Sequence, residues 1–171
     1  MVRTVARHLS ALLIKEGRGH VVSDPLGLAD NYPHPLRSYS RRCGYGTSYA
    51  KSRGYTAAIV LHLHFNAGGG RYGLVVTDAR APSEQGAAAP LVAALRKWGG
   101  AALSEVKNET DEQFPRARRL HDATWKDTSH LNMQISSFVL EPAFVDQPQH
   151  AGLLGDSGLE LLARYIAEGL A

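Results

Sequence analysis

The sequence predicts an α/β fold: a three-layer sandwich with a central, mostly parallel or mixed sheet and helices on both faces. Two observations carry this. Short apolar runs of strand length alternate with segments whose apolar residues recur at helical spacing. Two of those runs end in residues able to do chemistry, as in α/β sheets whose sites gather at the carboxyl ends of strands. The bulk composition agrees. The chain has 171 residues, 44% hydrophobic and 20% charged, enough for one domain with a real core and not the make-up of a disordered chain.

The elements follow in order. Val2, Val5, Leu9, Leu12 and Leu13 lie at helical spacing, so residues 2–16 read as an amphipathic helix, ended by Gly17 and Gly19. "HVVSD" at 20–24 reads as a short strand, and the prolines and glycine of 25–36 as a loop. Residues 36–55 read as a basic, tyrosine-bearing helix interrupted at Gly44 and Gly46. "TAAIVLHLHF" at 56–65 reads as a strand, continuously apolar from Ala57 to Leu61, as in strands buried on both faces. "YGLVVTD" at 72–78 is the next strand and "APLVAALRKWG" at 89–99 a helix. Residues 100–130 show little pattern beyond a helix around "RARR" at 116–119. "QISSFVLEPAF" at 134–144 contains a strand ending at Glu141-Pro142. "SGLELLARYIAEGL" at 157–170 closes the chain as a helix, with Ser157 and Glu160 spaced as a capping box and Leu159, Leu162 and Ile166 facing the core.

Three residues stand out chemically: His62, His64 and Glu141. Strand alternation puts His62 and His64 on one face and Leu61 and Leu63 on the other. Two imidazoles so placed are a metal signal, or simply hydrogen-bonded strand residues. Catalytic zinc takes three protein ligands and a water, and a nearby glutamate can take that water's proton. Glu141 follows the apolar "SSFVL", where desolvation would raise its pKa. A strand-end glutamate paired with an arginine is the plainer reading. The other histidines (8, 20, 34, 121, 130 and 150) fall in polar or helical contexts and read as solvated. The single cysteine, Cys43, excludes an internal disulfide and a cysteine-rich zinc site. It lies beside Arg41 and Arg42, which would lower its pKa, but no orienting histidine can be assigned to it. Neither a phosphate-binding loop nor a G-x-S-x-G elbow is present.

"IVLHLHFNAGG" resembles a strand motif of the zinc-dependent N-acetylmuramoyl-L-alanine amidases (the amidase_3 family), in which an apolar strand ends in S-x-H-x-N-A. His64, Asn66 and Ala67 fall on that pattern, with His62 where the family has Ser. "FVLEPAFVDQPQHAGLLGDSGLELLARYIAEGL" resembles the family's closing block, with Glu141 on its catalytic glutamate and Phe144 on its aromatic, while Pro142-Ala143 departs from the usual spacer. The opening "VARHLSALLIKEGRGHVV" resembles its first helix and second strand. The resemblance implies a single amidase_3-like catalytic domain over residues 1–171, N-terminally incomplete relative to the family. The family's first strand, with a D-x-G-H-G-G-like motif, and a glutamate near its first helix both carry zinc ligands and have no counterpart here. Three states fit: a longer natural chain, a metal-free relative, or a site rebuilt with His62 beside His64.

The resemblance also implies hydrolysis of the amide joining N-acetylmuramic acid to the stem peptide's L-alanine, with Zn2+ as cofactor, His64 and His62 as candidate metal ligands and Glu141 as general base. Asn66 is expected to fix the turn after the strand. Peptidoglycan is the expected partner, and a net charge of +3 with a pI near 9.1 suits an anionic wall. The alternative is a non-catalytic module of the same fold that binds wall peptide or a protein. A basic nucleic-acid binder using 37–53 and 116–119 ranks behind both, because no base-reading motif is present and no specific nucleic acid is expected. No apolar run reaches the length of a membrane span, and the first residues lack a signal peptide's continuous apolar stretch.

Overall fold

In the computed structural model, residues 1–20 and 35–171 are described; the side chains of 35–42 and of Asp127 are not. The expected strand at 20–24 and His34 therefore lie outside the described residues, apart from His20. Among the described residues four strands form one sheet in the order β1-β4-β2-β3, with β1 at Ala57–Leu63, β2 at Tyr72–Thr77, β3 at Glu105–Thr110 and β4 at Gln134–Glu141. β1 runs parallel to β4, β2 parallel to β3, and β2 antiparallel to β4. The sheet is therefore mixed.

Helices cover both faces, which makes the three layers. On one face lie α1 (Val2–Lys15), α4 (Ala89–Gly99) and α7 (Asp156–Gly169), α7 packing against both others. Their apolar stripes meet Val75, Phe138 and Leu140 of the sheet in the larger core, and Val5, Leu91, Leu95, Leu162 and Ile166 are almost fully buried there. On the other face α5 (Pro115–Thr128) packs on β4, and α2 (Pro35–Ser52) packs on α5. The smaller core on this side holds Leu74, Val76, Val139 and Ala117. Alternation along β2 and β4 explains the division: Val75, Phe138 and Leu140 point one way, Leu74, Val76 and Val139 the other. Short helices α3 (Ser83–Ala87) and α6 (Ala151–Leu154) join the larger elements.

Four expectations are corrected. α2 is continuous through Gly44 and Gly46. Two interior glycines cost about 1 kcal/mol each relative to alanine, and packing against α5 overrides that, with the Thr47 hydroxyl donating back to the Cys43 carbonyl at 2.7 Å. β1 is not buried on both faces: among the described residues it is the last strand of the sheet on its side, and Ile59 is 53% exposed. The strand β3 was hidden in the polar "EVKNET", because an edge strand needs only one well-buried residue, here Val106. Finally, Gly155 and not Ser157 caps α7, without a side-chain bond, so no capping box forms. Leu159, Leu162 and Ile166 do face the core.

Phe138 is the largest fully buried side chain of the central strand. Phe138→Ala should lower unfolding free energy by about 3–5 kcal/mol in a urea titration; a loss under about 1 kcal/mol would contradict this packing.

Candidate functional site

The ladder between β1 and β4 decides what the strand ends can do. Its register runs from Ala57 opposite Gln134 to Leu63 opposite Leu140. Continued by one step, it brings His64 level with Glu141, and the His64 N–H donates to the Leu140 carbonyl at 2.9 Å. Both side chains project to the α5 face, as do His62 and Val139 two pairs back. His64 Nδ1 stands 3.8 Å from Glu141 Oε1, with the imidazole 51% exposed and the carboxylate 16% exposed. Parallel strands ending together thus put an accessible imidazole beside a largely buried carboxylate.

Asn66 completes the group. Its side-chain amide donates to Glu141 Oε2 at 2.8 Å, and its own Oδ1 accepts the Ala67 N–H at 3.0 Å. Its backbone is fixed across the strand ends: Asn66 N–H donates to the Ala143 carbonyl and Val145 N–H to the Asn66 carbonyl, at 3.0 and 2.8 Å, forming a parallel bridge with Phe144. The expected turn-fixing role of Asn66 is therefore only half its work. Burial pushes the Glu141 carboxyl above the ordinary carboxylate range; the nearby His64, the Asn66 hydrogen bond and Arg116 of α5 pull the other way without cancelling it. A base that sheds its proton at a pH above that of a solvated glutamate is suited to proton transfer near neutrality.

Beyond Glu141 the chain wraps back on the glycines. Gly68 and Gly69, both at positive φ, donate their N–H groups to the Asp146 carboxylate at 2.8 and 3.0 Å. The Phe144 ring lies against Gly70, where a Cβ would fall 2.2 Å from the ring, and makes an edge contact with Tyr72. His150 is fully buried beneath this loop, its Nδ1 within 3.0–3.2 Å of the Phe144 backbone carbonyl and N–H. A groove of about 870 Å3 between α1 and β1 reaches His62 and His64 at one end.

His62 lies in different company. Its Nε2 is 2.9 Å from the Thr124 hydroxyl of α5, and its ring meets that of His121 edge-on at 6.5 Å. Burial, aided by the neighbouring His121, depresses its pKa to about 4, so His62, partly covered by α5, is neutral. His121, unlike the partly buried His62, is fully buried, and burial pushes its pKa down; its Nδ1 lies 3.0 Å from the Ser137 hydroxyl. His121 and His150 are thus not solvated, contrary to expectation. Cys43 is also buried, with the Thr124 hydroxyl 3.6 Å from its sulfur, which is not the setting of an exposed nucleophile.

Near His121 lie Asp78 and Asp111, and Glu84 bonds to the Ser137 backbone; all three carboxylates are nearly inaccessible. Burial raises the Glu84 pKa against the Ser137 N–H that Oε1 accepts. Burial also works to raise Asp78, but hydrogen bonds from Arg80 and Trp125 outweigh it and hold that carboxyl at about 2. Among the described residues no three His, Cys, Asp or Glu side chains converge as a metal site would require. Zinc therefore finds His64 at the strand ends, beside the Glu141 carboxylate, and no complete set of three described ligands.

Comparisons with known protein families, curated proteins and solved structures find no match. The His64 and Glu141 pair was visible in the sequence as two strand ends. Asn66 as a partner of Glu141, and Asp146 as the anchor of the glycine turn, were not, because neither bond has a fixed sequence spacing.

The buried histidines make stability depend on pH. His62 is depressed from about 6.5 to about 4 on folding, so its contribution is complete above pH 6.5 and is lost as pH falls towards 4. The loss amounts to about 3 kcal/mol. Glu141 and Glu84, raised on folding, act in the opposite sense in their own window. Urea titrations of wild type and His62→Gln should therefore differ in slope between pH 6.5 and 4, the variant losing less; equal slopes would contradict a neutral His62.

Proposed function

We propose that the chain is a peptidoglycan hydrolase that cleaves the amide between N-acetylmuramic acid and the stem peptide's L-alanine. The observation that carries the reading is the placement of His64, Asn66 and Glu141 together at the ends of two adjacent parallel strands. Those residues fall on the amidase-like patterns of the sequence. The basic chain suits an anionic polymer.

The protein's own groups define the proton path. Glu141 accepts a proton from a water molecule, whose oxygen forms a bond to the amide carbon. The C–N bond breaks as Glu141 passes the proton to the departing alanine nitrogen, leaving a muramic carboxyl and a free L-alanine amine. Asn66 keeps the carboxylate turned towards the strand ends, and His64, exposed beside it, meets the reacting carbonyl side. Zinc in this family polarises the carbonyl and activates water. The described residues do not complete a three-ligand zinc site.

The incomplete ligand set favours a second reading: a wall-binding module of the same fold without hydrolysis. Incubation with purified peptidoglycan in micromolar zinc separates the two. The hydrolase reading expects clearing of the wall suspension, a rate lowered about 10²–10⁴-fold by Glu141→Gln, and an acid limb of the rate at a pH above 4.5, the ordinary value from which Glu141 is raised. Co-sedimentation with wall but no clearing by wild type would give the binding module instead. Clearing that survives Glu141→Gln would remove Glu141 from its role.

A further inference from the structure

We propose that Asp146 is a positioning residue for Glu141, acting through the glycine turn at 68–69 and through Asn66. The proposal rests on the reading of Glu141 as the site's base and adds to it a residue that neither the strand-end pattern nor the amidase resemblance assigns.

The connection is a short chain of bonds. One oxygen of the Asp146 carboxylate accepts the N–H groups of both Gly68 and Gly69. Those glycines hold φ values of 119° and 81°, a conformation that has no side chain to stabilise it and that glycine leaves readily. Two charge-assisted bonds to one anion are what select this turn from the many that three consecutive glycines allow. The turn starts from Ala67, whose N–H is held by Asn66 Oδ1, and the other end of that same side chain donates to Glu141 Oε2. Releasing the turn therefore frees the Asn66 amide to rotate away. The groups facing Glu141 are His64 at the end of β1, Asn66 after it and Arg116 of α5; those facing Asp146 are the two glycine amides and, more weakly, His150. The Gly68 N–H above all holds the exposed Asp146 carboxyl below the ordinary carboxylate value.

The test is NMR of the Asn66 side-chain amide in the folded full chain, wild type against Asp146→Ala and Asp146→Asn. Asp146→Ala should speed amide exchange at Gly68 and Gly69 about tenfold and should shift the Asn66 side-chain amide protons that point at Glu141. Asp146→Asn, which keeps an acceptor oxygen without the charge, should restore part of both. Glycine amides that loosen in Asp146→Ala with the Asn66 side-chain amide unmoved overturn the proposal. Wild type alone supplies a second measurement should the variants not fold. Acidification through the low Asp146 midpoint should shift the Gly68 and Gly69 amide protons and the Asn66 side-chain amide protons together. Glycine shifts with no movement at Asn66 would equally overturn it. Neither measurement uses wall digestion, so failure of the hydrolase reading shows separately, as an unchanged wall suspension.

Discussion

The parallel pairing of β1 with β4 is the constraint from which the site follows. Seven consecutive pairs, Ala57 with Gln134 through Leu63 with Leu140, set the register. A slip of one residue would turn His64 to the α1 face and separate it from Glu141. The register is held because the two faces of β1 differ: Leu61 and Leu63 pack into the larger core, while His62 bonds to Thr124 under α5. His62 thus has a structural use. It ties β1 to the helix that covers it, and so keeps His64 in phase.

Past the last ladder pair, side chains and single backbone bonds take over from regular structure. The Asn66–Phe144 bridge, the Asn66 amide on Glu141 and the Asp146 carboxylate on the glycine turn extend the β1–β4 contact beyond both strands. Pro142 follows Glu141 directly. It has no N–H to offer a ladder, so the strand stops there and the carboxylate stands at its end instead of inside the sheet. Burial then supplies the raised pKa, and the same buried surroundings explain why the carboxylate needs Asn66: an ionised group so enclosed is expensive without a donor.

The fold was legible where pattern and packing agree. Ala89–Gly99 and the Leu159, Leu162, Ile166 stripe show helical spacing because one face of each helix is buried in the larger core. Glu105–Thr110 was not legible, since its neighbours on the sheet's far edge leave most of its side chains in or near water. Gly44 and Gly46 read as breaks because propensity is local, whereas the packing of α2 on α5 that overrides it is not. In the site, alternation placed His62 and His64 on one face, but it could not tell that one would be enclosed by His121 and Thr124 and the other left exposed. That distinction belongs to α5, sixty residues further along the chain.

The proposed hydrolysis cuts one particular bond. The decisive experiment incubates purified peptidoglycan with the chain and analyses newly formed N-terminal residues. Free L-alanine amines should accumulate with time, with glycan strands left intact and with no such release by Glu141→Gln. Release of reducing sugar ends, of a different N-terminal residue, or of none at all would contradict it.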